Sequence, residues 1–398
     1  MEPRTKSFLM WSGIICLCFF GIPFHLKGEE QEHLELALKN YSASFGKSYD
    51  DRRFKERLPH FKKSLQKITE LNEKDDDSIW DSESPTLKLS SGNDLSDEER
   101  ASARKHVHGK KWKPGMPKNQ GYAVWGLTEL ADMSPEEFSL QYLSPLILQK
   151  IEEREKSHKD SHHHHHSHHQ DNHLRRRRAL SIPGPLPDKV DWRTKGVISP
   201  VKHQKDCGAC WAFSTVETVE SMNAILKGNL QTLSIQQVID CATNGNMGCN
   251  GGDTCAAIDW MSGQRLALES EYPLTLQDGK CKLRASPSGI QVNANYTCDN
   301  YVGAENDLLT VLAHHGPVAV AVDATNWQFY VGGVIQWNCD ANNNHAVQIV
   351  GYDKTATPPH YIVRNSWGNT YGDGGYMYIA IGSNLCGIAR EVSSLSVK

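Results

Sequence analysis

The chain has 398 residues, a formal net charge of -4, and 38% hydrophobic and 23% charged residues. This length allows more than one folded unit, and nothing in the composition forbids a sizeable core. Because the chain as a whole carries no excess of positive charge, its composition gives no support for a nucleic-acid-binding protein.

The N-terminal end is first basic and then apolar. Arg4 and Lys6 precede an apolar run over residues 8–24, and this order is typical of a secretory signal peptide that is later removed. A membrane anchor is the alternative, because a span needs about 17–25 apolar residues. We expect residues 1–27 to be the signal peptide, a secretory route to the lysosome or the extracellular space, and no stable membrane anchor.

The next region, residues 28–138, is charged and shows helical spacing in two stretches. Pro59 is expected to kink or split the second helix. Residues 75–104 are acidic and rich in serine, so we expect a disordered insertion there. The apolar residues at helical steps are Leu34, Leu38, Tyr41 and Phe45 in the first stretch and Phe61, Leu65, Ile68 and Leu71 in the second.

A linker is predicted at residues 139–178. Nine histidines lie between His158 and His173, and the arginines Arg175–Arg178 follow them. This composition does not favour a buried core, so we expect an exposed segment. The arginine run suits a processing protease that cuts at basic sites, with cleavage after Arg178; a solvated run of charge is the alternative.

The histidine run is open to three interpretations. Its protonation near pH 6 would add positive charge and loosen the linker during acidification. It would also suit zinc or copper binding. Low-complexity drift in a disposable linker explains it equally well.

Residues 179–398 have the composition of a compact disulfide-bonded domain. Nine of the eleven cysteines lie between Cys207 and Cys386, and the other two lie in the signal peptide. An odd number in an oxidising compartment leaves one thiol over, which is a candidate reactive group. The pattern predicts a helix from Cys210 to about Leu226 and strands over residues 318–322, 345–350, 361–363 and 376–379.

The candidate nucleophile is Cys210, in the segment Cys207-Gly-Ala-Cys210-Trp. At the start of a helix, unpaired amide groups and the helix dipole favour a thiolate and lower the pKa of its thiol. A redox pair of Cys207 and Cys210 is one alternative, but the strand–helix–strand context of such pairs is missing. A zinc site is the other, but a second ligand pair is missing.

The candidate base is His345, which lies within a window of roughly 130–150 residues after the nucleophile. An imidazole beside a thiol takes its proton and later donates it to the leaving amine; a structural core histidine is the alternative. Asn365 is the candidate for orienting the ring, and Trp367 would cover their contact. Gln204 and the backbone N–H of Cys210 are the candidate oxyanion hole.

Residues 188–398 resemble a papain-like cathepsin. The resemblance implies an α+β, papain-like two-domain fold, with Cys210 in a helical left domain and His345 and Asn365 in a β-barrel-like right domain. It implies an N-terminal helical inhibitory propeptide, with an inhibitor-like part at about 34–138, before a peptidase domain at 179–398. The matching segments are Val190–Arg193, Gln204–Ser214, Gly248–Gly252, Asn344–His345 and Asn365–Gly368, and two more, Trp327–Gln336 and Gly382–Ala389, indicate one subfamily.

The resemblance also implies three disulfides, which are Cys207–Cys249, Cys241–Cys281 and Cys339–Cys386. The common family pattern does not explain Cys255 and Cys298, and we expect them to bond to each other because two exposed thiols would be a liability in an oxidising compartment. Asn40 and Asn295 begin N-glycosylation sequons.

The resemblance implies a substrate edge at Gly251 and Gly252, where the lack of a Cβ lets a peptide backbone approach closely, and Trp367 is expected in the same cleft. The resemblance implies a pocket for the side chain two residues before the cut, formed by Thr254, Ala321, Ala346 and, at its floor, Glu391. We hypothesise that this pocket tolerates Arg or Lys as well as apolar groups, since a buried carboxylate needs a partner. The alternative is that Glu391 points to solvent.

Together these residues predict a cysteine-type endopeptidase that hydrolyses protein and peptide substrates through an acyl-enzyme. It would be made as a zymogen inhibited by its own propeptide, would need no metal or cofactor, and would be monomeric when mature. The alternatives are a catalytically silent papain-fold binding protein and a histidine-rich metal-binding secreted protein.

Overall fold

A computed structural model describes residues 30–73, 121–164, 185–283 and 286–398. The predicted signal peptide, the acidic insertion and the arginine run with Arg178 lie outside these residues. Below, residues 30–164 are called the N-terminal segment and residues 185–398 the C-terminal domain. No helix within the described ranges is both long and apolar enough to cross a membrane.

The N-terminal segment consists mainly of helices. In residues 30–73 and 121–164, which the structure describes, its helices are α1 (residues 30–44), α2 (Asp51–Glu73), α3 (Pro135–Tyr142) and α4 (Leu146–His164), and its short strand is β1 (Val124–Trp125). Tyr41 of α1 packs on Phe61 of α2 with ring centroids 5.0 Å apart. The helical spacing seen in the sequence therefore corresponds to the faces that α1 and α2 bury against each other.

Pro59 was expected to kink or split α2; it does not split the helix, which runs over 23 residues. Pro59 is exposed, whereas Leu58, Phe61 and Leu71 of the same helix are buried. Proline removes one hydrogen bond from a helix. Most of the stability of a helix in a protein comes from packing of its apolar face, which outweighs that loss here.

A buried carboxylate holds the N-terminal segment together. Asp132 is 3% exposed and accepts hydrogen bonds from the hydroxyls of Tyr41, at 3.0 Å, and Tyr49, at 2.6 Å. Lys47 forms an ion pair with it, and Arg57 donates to its backbone carbonyl. Burial opposes ionisation of Asp132, but Lys47 and the two hydroxyls outweigh burial and hold its pKa below the usual value.

The predicted linker at residues 139–178 is wrong in its first part, because residues 146–164 form α4. Ile147 and Ile151 of α4 are buried in one hydrophobic cluster with Cys210 and Trp211. The two isoleucines are four residues apart and so lie on one face of the helix. The histidines and arginines that follow dominated the composition of the region and obscured this short apolar stripe.

The helices of the C-terminal domain are α5 (Cys210–Lys227), α6 (Ile235–Cys241), α7 (Thr254–Met261) and α8 (Glu305–His314). The side chain of Ser234 caps α6, and that of Asp253 caps α7 by accepting from the N–H of Ala256. All residues of α5 from Cys210 to Ala224 are buried, so this helix lies in the middle of the domain.

Eight strands of the C-terminal domain form one mixed sheet. They are β2 (Lys189–Asp191), β3 (Val292–Asp299), β4 (Val318–Val322), β6 (Val334–Ile335), β7 (His345–Asp353), β8 (His360–Arg364), β9 (Tyr376–Ala380) and β10 (Val392–Val397). Their order in the sheet is β3-β10-β4-β7-β8-β9-β6, with β2 paired to β7. The predicted strand over residues 318–322 coincides with β4, and the other three predicted strands are extended by one to three residues.

Two packing contacts position the site. Helix α5 packs against β4, β7 and β10, which brings the start of the helix to the start of β7. The N-terminal segment adds β1 to β5 (Tyr330–Gly332), where Val124 pairs with Gly332 in antiparallel register. The N-terminal segment is thus joined to the C-terminal domain by backbone hydrogen bonds as well as by side chains.

Acid should destabilise the N-terminal segment through Asp132. In the folded chain the pKa of Asp132 lies below the ordinary aspartate pKa of about 3.9. The carboxylate therefore contributes its full stability above that ordinary pKa, and the contribution is lost as the pH falls through the lower pKa of the folded state. Asp132→Asn should lower the free energy of unfolding by roughly 1–3 kcal/mol at pH 6, less than for a fully buried pair because Lys47 is 25% exposed.

The measurement is thermal unfolding of the Cys210→Ser precursor from pH 3 to pH 6, since this variant should not cleave itself. Wild-type Asp132 should give a steep loss of stability below pH 4, and the Asn variant a shallower one. Glu56→Gln, which removes an exposed carboxylate of α2, is the control. Identical pH profiles for the wild-type and Asn chains would contradict the role of Asp132.

Candidate active site

Cys210 opens α5 and is the one free cysteine among the residues that the structure describes. Its N-cap, Ala209, offers no side chain to the free N–H groups of the first turn. Burial raises the pKa of the Cys210 thiol to about 12. Hydrogen bonds from the backbone N–H groups of Ala346, Trp211 and Cys210 itself oppose this shift. The sulfur of Cys210 therefore lies beside Ala346, which directly follows His345.

His345 and Asn365 are joined by a hydrogen bond of 2.8 Å between His345 Nε2 and Asn365 Oδ1. His345 opens β7 and Asn365 directly follows β8, so neighbouring antiparallel strands bring the two side chains together. The backbone N–H of Ser366 also donates to Asn365 Oδ1, which fixes this oxygen as the acceptor. Nε2 of His345 must then carry the proton.

The other ring nitrogen, His345 Nδ1, is buried and has no hydrogen-bond partner in the described part of the chain. In the neutral ring this nitrogen is the unprotonated one, because Nε2 donates to Asn365. Burial lowers the pKa of His345 to about 4, and the hydrogen bond to Asn365 opposes that shift. The imidazole is therefore neutral near pH 7 and has a free lone pair on Nδ1.

Two tryptophans cover the imidazole. The ring of Trp367 lies 4.8 Å from that of His345, and the ring of Trp327 meets it edge to face at 5.9 Å. Both indoles are fully buried. A buried aromatic cover of this kind strengthens the hydrogen bond beneath it. Trp367 is the residue that the sequence named for this place; Trp327 was not anticipated as part of the cover.

Gln204 is also fully buried and is held from both ends of its amide. Its Oε1 accepts from the hydroxyl of Ser366 at 2.5 Å. Its Nε2 donates to the carbonyl of Cys207, at 3.0 Å, and to the carbonyl of Tyr142, at 3.2 Å. Tyr142 belongs to the N-terminal segment, so a carbonyl of that segment occupies the donor proposed for the oxyanion.

The chain between α3 and α4 crosses the cleft. Ser144 donates its backbone N–H to the carbonyl of Asn344 at 2.6 Å. Its hydroxyl donates to the carbonyl of Gly252 and accepts from the N–H of Gly252, both at 3.0 Å. The N-terminal segment thus binds the expected substrate edge through a side chain, where a substrate would pair through its backbone.

Glycine is required at the cleft for two different reasons. A Cβ on Gly251 would lie 2.6 Å from the hydroxyl of Ser144, so the space beside Gly251 is used by the chain in the cleft. A Cβ on Gly252 would lie 2.6 Å from the ring of Trp211 and would disturb packing inside the domain. Only Gly251 therefore fits the predicted reason, which was close approach of a bound peptide.

Thr254, Ala321, Ala346 and Glu391 lie together beside the start of α5. Ala321 and Ala346 are paired across β4 and β7, and the N–H of Ala321 donates to the carbonyl of Glu391. The Thr254 hydroxyl donates to Glu391 Oε1 at 2.9 Å. Glu391 is 4% exposed, so the alternative in which it points to solvent is wrong.

Sequence reasoning missed three charged residues near the cleft. Arg154 of α4 pairs with Asp253 and with Glu391. Arg364, next to Asn365, is fully buried and pairs with Glu217 of α5 at 3.1 Å, which ties the strand of Asn365 to the helix of Cys210. Asp253 directly follows the Gly-Gly pair, and Arg154 lies three residues after Ile151 on the same helical face. In the sequence, these two positions were the features that could have pointed to Asp253 and Arg154 as residues near the cleft.

The structure joins the eight remaining cysteines of the C-terminal domain into four disulfides. The bond between Cys255 and Cys298 connects α7 to β3. The other three disulfides are Cys207–Cys249, Cys241–Cys281 and Cys339–Cys386.

The sequon asparagines Asn40 and Asn295 are both exposed.

Comparisons with known proteins give one consistent result. Residues 186–396 match the model of the papain family cysteine protease, and residues 39–100 match the cathepsin propeptide inhibitor domain (I29). Human Cathepsin O is 40% identical over 71% of this chain and 82% of its own length. Cysteine protease XCP2 of Arabidopsis thaliana is 37% identical over 69% of this chain and 74% of its own length.

Among solved structures, digestive procathepsin L2 of Tenebrio molitor superposes with a TM-score of 0.66 at 27% identity, covering 91% of this chain and 99% of that one. The predicted α+β, papain-like fold with an N-terminal propeptide is therefore confirmed. The two segments that indicated one subfamily, Trp327–Gln336 and Gly382–Ala389, indicated cathepsin O, in agreement with the similarity to the human protein.

The precursor thiol should be unreactive. Because the pKa of Cys210 is raised, its thiolate fraction stays very small up to pH 9. Iodoacetamide should label Cys210 at least about 100-fold more slowly in the precursor than in the matured chain at pH 7. The measurement is the labelling rate at Cys210 by peptide mass mapping from pH 5 to pH 9, with the precursor unfolded in urea as the control for an exposed thiol. Equal rates before and after maturation would contradict this assignment.

Proposed function

The chain belongs to the papain family of cysteine proteases, and on that premise we propose that it is an endopeptidase in which Cys210, His345, Asn365 and Gln204 carry out catalysis. A matching propeptide inhibitor domain makes it a zymogen of that family. The observation that carries the proposal is the imidazole of His345, held by Asn365 at 2.8 Å with its Nδ1 free. His345 directly precedes Ala346, whose backbone N–H donates to the free thiol of Cys210.

The first half-reaction forms an acyl-enzyme. The Cys210 thiol gives its proton to His345 Nδ1, and the sulfur attacks the carbonyl carbon of the scissile bond. Gln204 Nε2 and the N–H of Cys210 donate to the oxygen that becomes negative. His345 then gives the proton to the leaving amine, and the C–N bond breaks.

The second half-reaction uses water. His345 takes a proton from a water molecule, the hydroxide attacks the thioester carbon, and the proton returns to the sulfur as the acid leaves. Asn365 holds the ring through both steps. A neutral amide is suited to this role because the imidazolium is already balanced by the thiolate.

Self-inhibition follows from the same contacts. The carbonyl of Tyr142 occupies Gln204 Nε2, and Ser144 occupies both backbone groups of Gly252. These groups would otherwise hold the substrate. Under this proposal, removal of the N-terminal segment, through a cut after Arg178 by a basic-site-cutting protease, opens the cleft and exposes the thiol, which lowers its pKa.

We place the enzyme in the secretory pathway, with the lysosome or the extracellular space as its destination. The predicted signal peptide, four disulfides and the exposed sequon residues Asn40 and Asn295 support this location, because disulfides persist and sequons are used there. The mature peptidase is proposed to act as a monomer on proteins and peptides, without a cofactor.

A thiol-reactive epoxide distinguishes the enzyme from a silent binding protein of the same fold. The matured chain should be labelled at Cys210 and should cleave a peptide library at internal bonds. Cys210→Ser should lose both labelling and cleavage. A matured chain that is folded but neither labelled nor active would contradict the proposal, and release of single terminal residues only would contradict the endopeptidase assignment.

Gln204→Ala tests the oxyanion hole. Loss of one such donor should lower kcat by about 10²–10³, with a smaller change in KM. The measurement is steady-state hydrolysis of one peptide by the matured variant, with the active sites counted by the epoxide. Gln204→Glu is the matched variant: it keeps the size of the side chain but loses the donor, and it should be equally impaired. Unchanged kcat in both variants would exclude Gln204 from this role.

A further inference from the structure

Four charged side chains are buried between α5, the end of β8 and the chain that precedes Gln204. Glu217 and Glu220 of α5 are 2% and 0% exposed, and Arg364 of β8 is 1% exposed. The side chain of Lys202 is 14% exposed. We call these four residues the buried quartet. Its two acids are balanced by two bases, as buried charges require, and none of the four belongs to the N-terminal segment.

Lys202 and Glu220 form the first ion pair of the buried quartet. Lys202 Nζ donates to both carboxylate oxygens of Glu220, at 2.8 and 3.0 Å. Glu220 Oε2 also accepts from the hydroxyl of Ser199 at 2.5 Å. Because Lys202 lies two residues before Gln204, this pair joins α5 to the segment that leads to Gln204.

Arg364 and Glu217 form the second ion pair. Arg364 Nη2 lies 3.1 Å from Glu217 Oε1. The same nitrogen donates to the carbonyl of Pro200 at 2.6 Å and to the hydroxyl of Ser199 at 3.2 Å. Nη1 donates to Oε1 of Gln348 of β7 at the longer distance of 3.4 Å. The planar guanidinium thus meets α5, the segment of Ser199 and Pro200, and β7 at once, which the point charge of a lysine cannot do.

Each element that these contacts join carries a residue of the proposed catalytic set. In chain order, the four residues are Gln204 after the segment of residues 199–202, Cys210 at the start of α5, His345 at the start of β7 and Asn365 directly after β8. Ser199 connects the two ion pairs, because it donates to Glu220 and accepts from Arg364. The buried quartet therefore fixes the positions of these elements relative to one another.

The position of the Asn365 amide depends on the backbone around it. Its Oδ1 accepts from Nε2 of His345, the group that it orients, and from the N–H of Ser366, its own neighbour in the chain. The backbone of residues 364–366 therefore determines where this oxygen lies. Arg364 anchors that stretch of backbone to α5 through its ion pair with Glu217.

We infer that Arg364, held by Glu217, is a positioning residue for the proposed reaction. It sets the place of Asn365 and thereby the orientation of the His345 imidazole. The inference rests on the proposed function, because it concerns the same catalytic groups. A buried ion pair adds little stability compared with apolar side chains of the same volume, whereas it can enforce one arrangement. The expected effect of a substitution that keeps the charge is therefore a loss of geometry.

Arg364→Lys keeps the buried charge but removes the planar group. All variants are matured with the same external protease, and kcat is counted per thiol labelled by the epoxide. Arg364→Lys should lower kcat by about 10- to 100-fold and leave KM within about twofold, since a small misplacement of reacting groups slows the chemical step. Glu217→Gln should lower kcat by less, because Arg364 keeps its bond to Pro200. Arg265→Lys, at an exposed arginine of the same domain, is the control.

A second background distinguishes positioning from a general loosening of the fold. If Arg364 acts through Asn365, Arg364→Lys should change kcat by less than about twofold in a chain that already carries Asn365→Ala, because effects of groups that act as a unit are not additive. An equal loss of kcat in both backgrounds would overturn the inference. So would an unchanged kcat for Arg364→Lys alone.

A readout that does not need catalysis separates this inference from the proposed function. In the matured Cys210→Ser chain with isotope-labelled histidine, NMR can follow exchange of the His345 Nε2 proton with water. Arg364→Lys should speed that exchange at least about tenfold, since it frees the bond to Asn365 to open, and Arg265→Lys should not. If peptides are cleaved but Arg364→Lys alters neither kcat nor exchange, the positioning is wrong and the peptidase stands. If exchange responds but the wild type is neither labelled nor active, the positioning stands and the peptidase is wrong.

Discussion

The contact between the start of α5 and the start of β7 determines what this protein can do. It places the free thiol of Cys210 beside Ala346, the residue that follows the buried His345. Burial acts on both groups in the same sense: it raises the pKa of the thiol and lowers that of the imidazole. Both are therefore neutral while the N-terminal segment covers them. Under the proposed function the same two groups exchange a proton once water and substrate enter, so a single arrangement would account for the inactive precursor and for the proposed chemistry.

Under the proposed function, the N-terminal segment inhibits by occupying the groups that a substrate would need. The carbonyl of Tyr142 takes the amide of Gln204, Ser144 takes the edge at Gly252, and Arg154 takes the carboxylates of Asp253 and Glu391. Each contact is modest, but all depend on one folded unit that is held by the buried Asp132 and by pairing of β1 with β5. Loss of that unit should release them together, which explains how a limited change in the segment can open the whole cleft.

The parts of this account that could be predicted from sequence are those with a local chemical reason. The helix start at Cys210, the Asn-Ser-Trp-Gly loop at Asn365 and the strand at residues 318–322 are encoded in short segments, and their positions agree with the structure. Helix α4 was missed because two isoleucines give a weak signal beside a long run of histidines. The pair of Arg154 with Asp253 and Glu391 was missed for a stronger reason: it joins residues far apart in the chain, and no local pattern specifies such a contact. Pro59 shows the opposite case, in which packing keeps α2 as one helix although a local rule allowed a split.

The most direct test of the account is to identify the atom that carries the acyl group during turnover. A slowly deacylated ester of a short peptide can be mixed with the matured chain, quenched in acid within the first turnover, and digested for mass spectrometry. The account predicts an acyl group on the peptide that contains Cys210, lost when the quench is delayed, and no such adduct in Cys210→Ser. An adduct on a different residue, or turnover without any covalent intermediate, would contradict it.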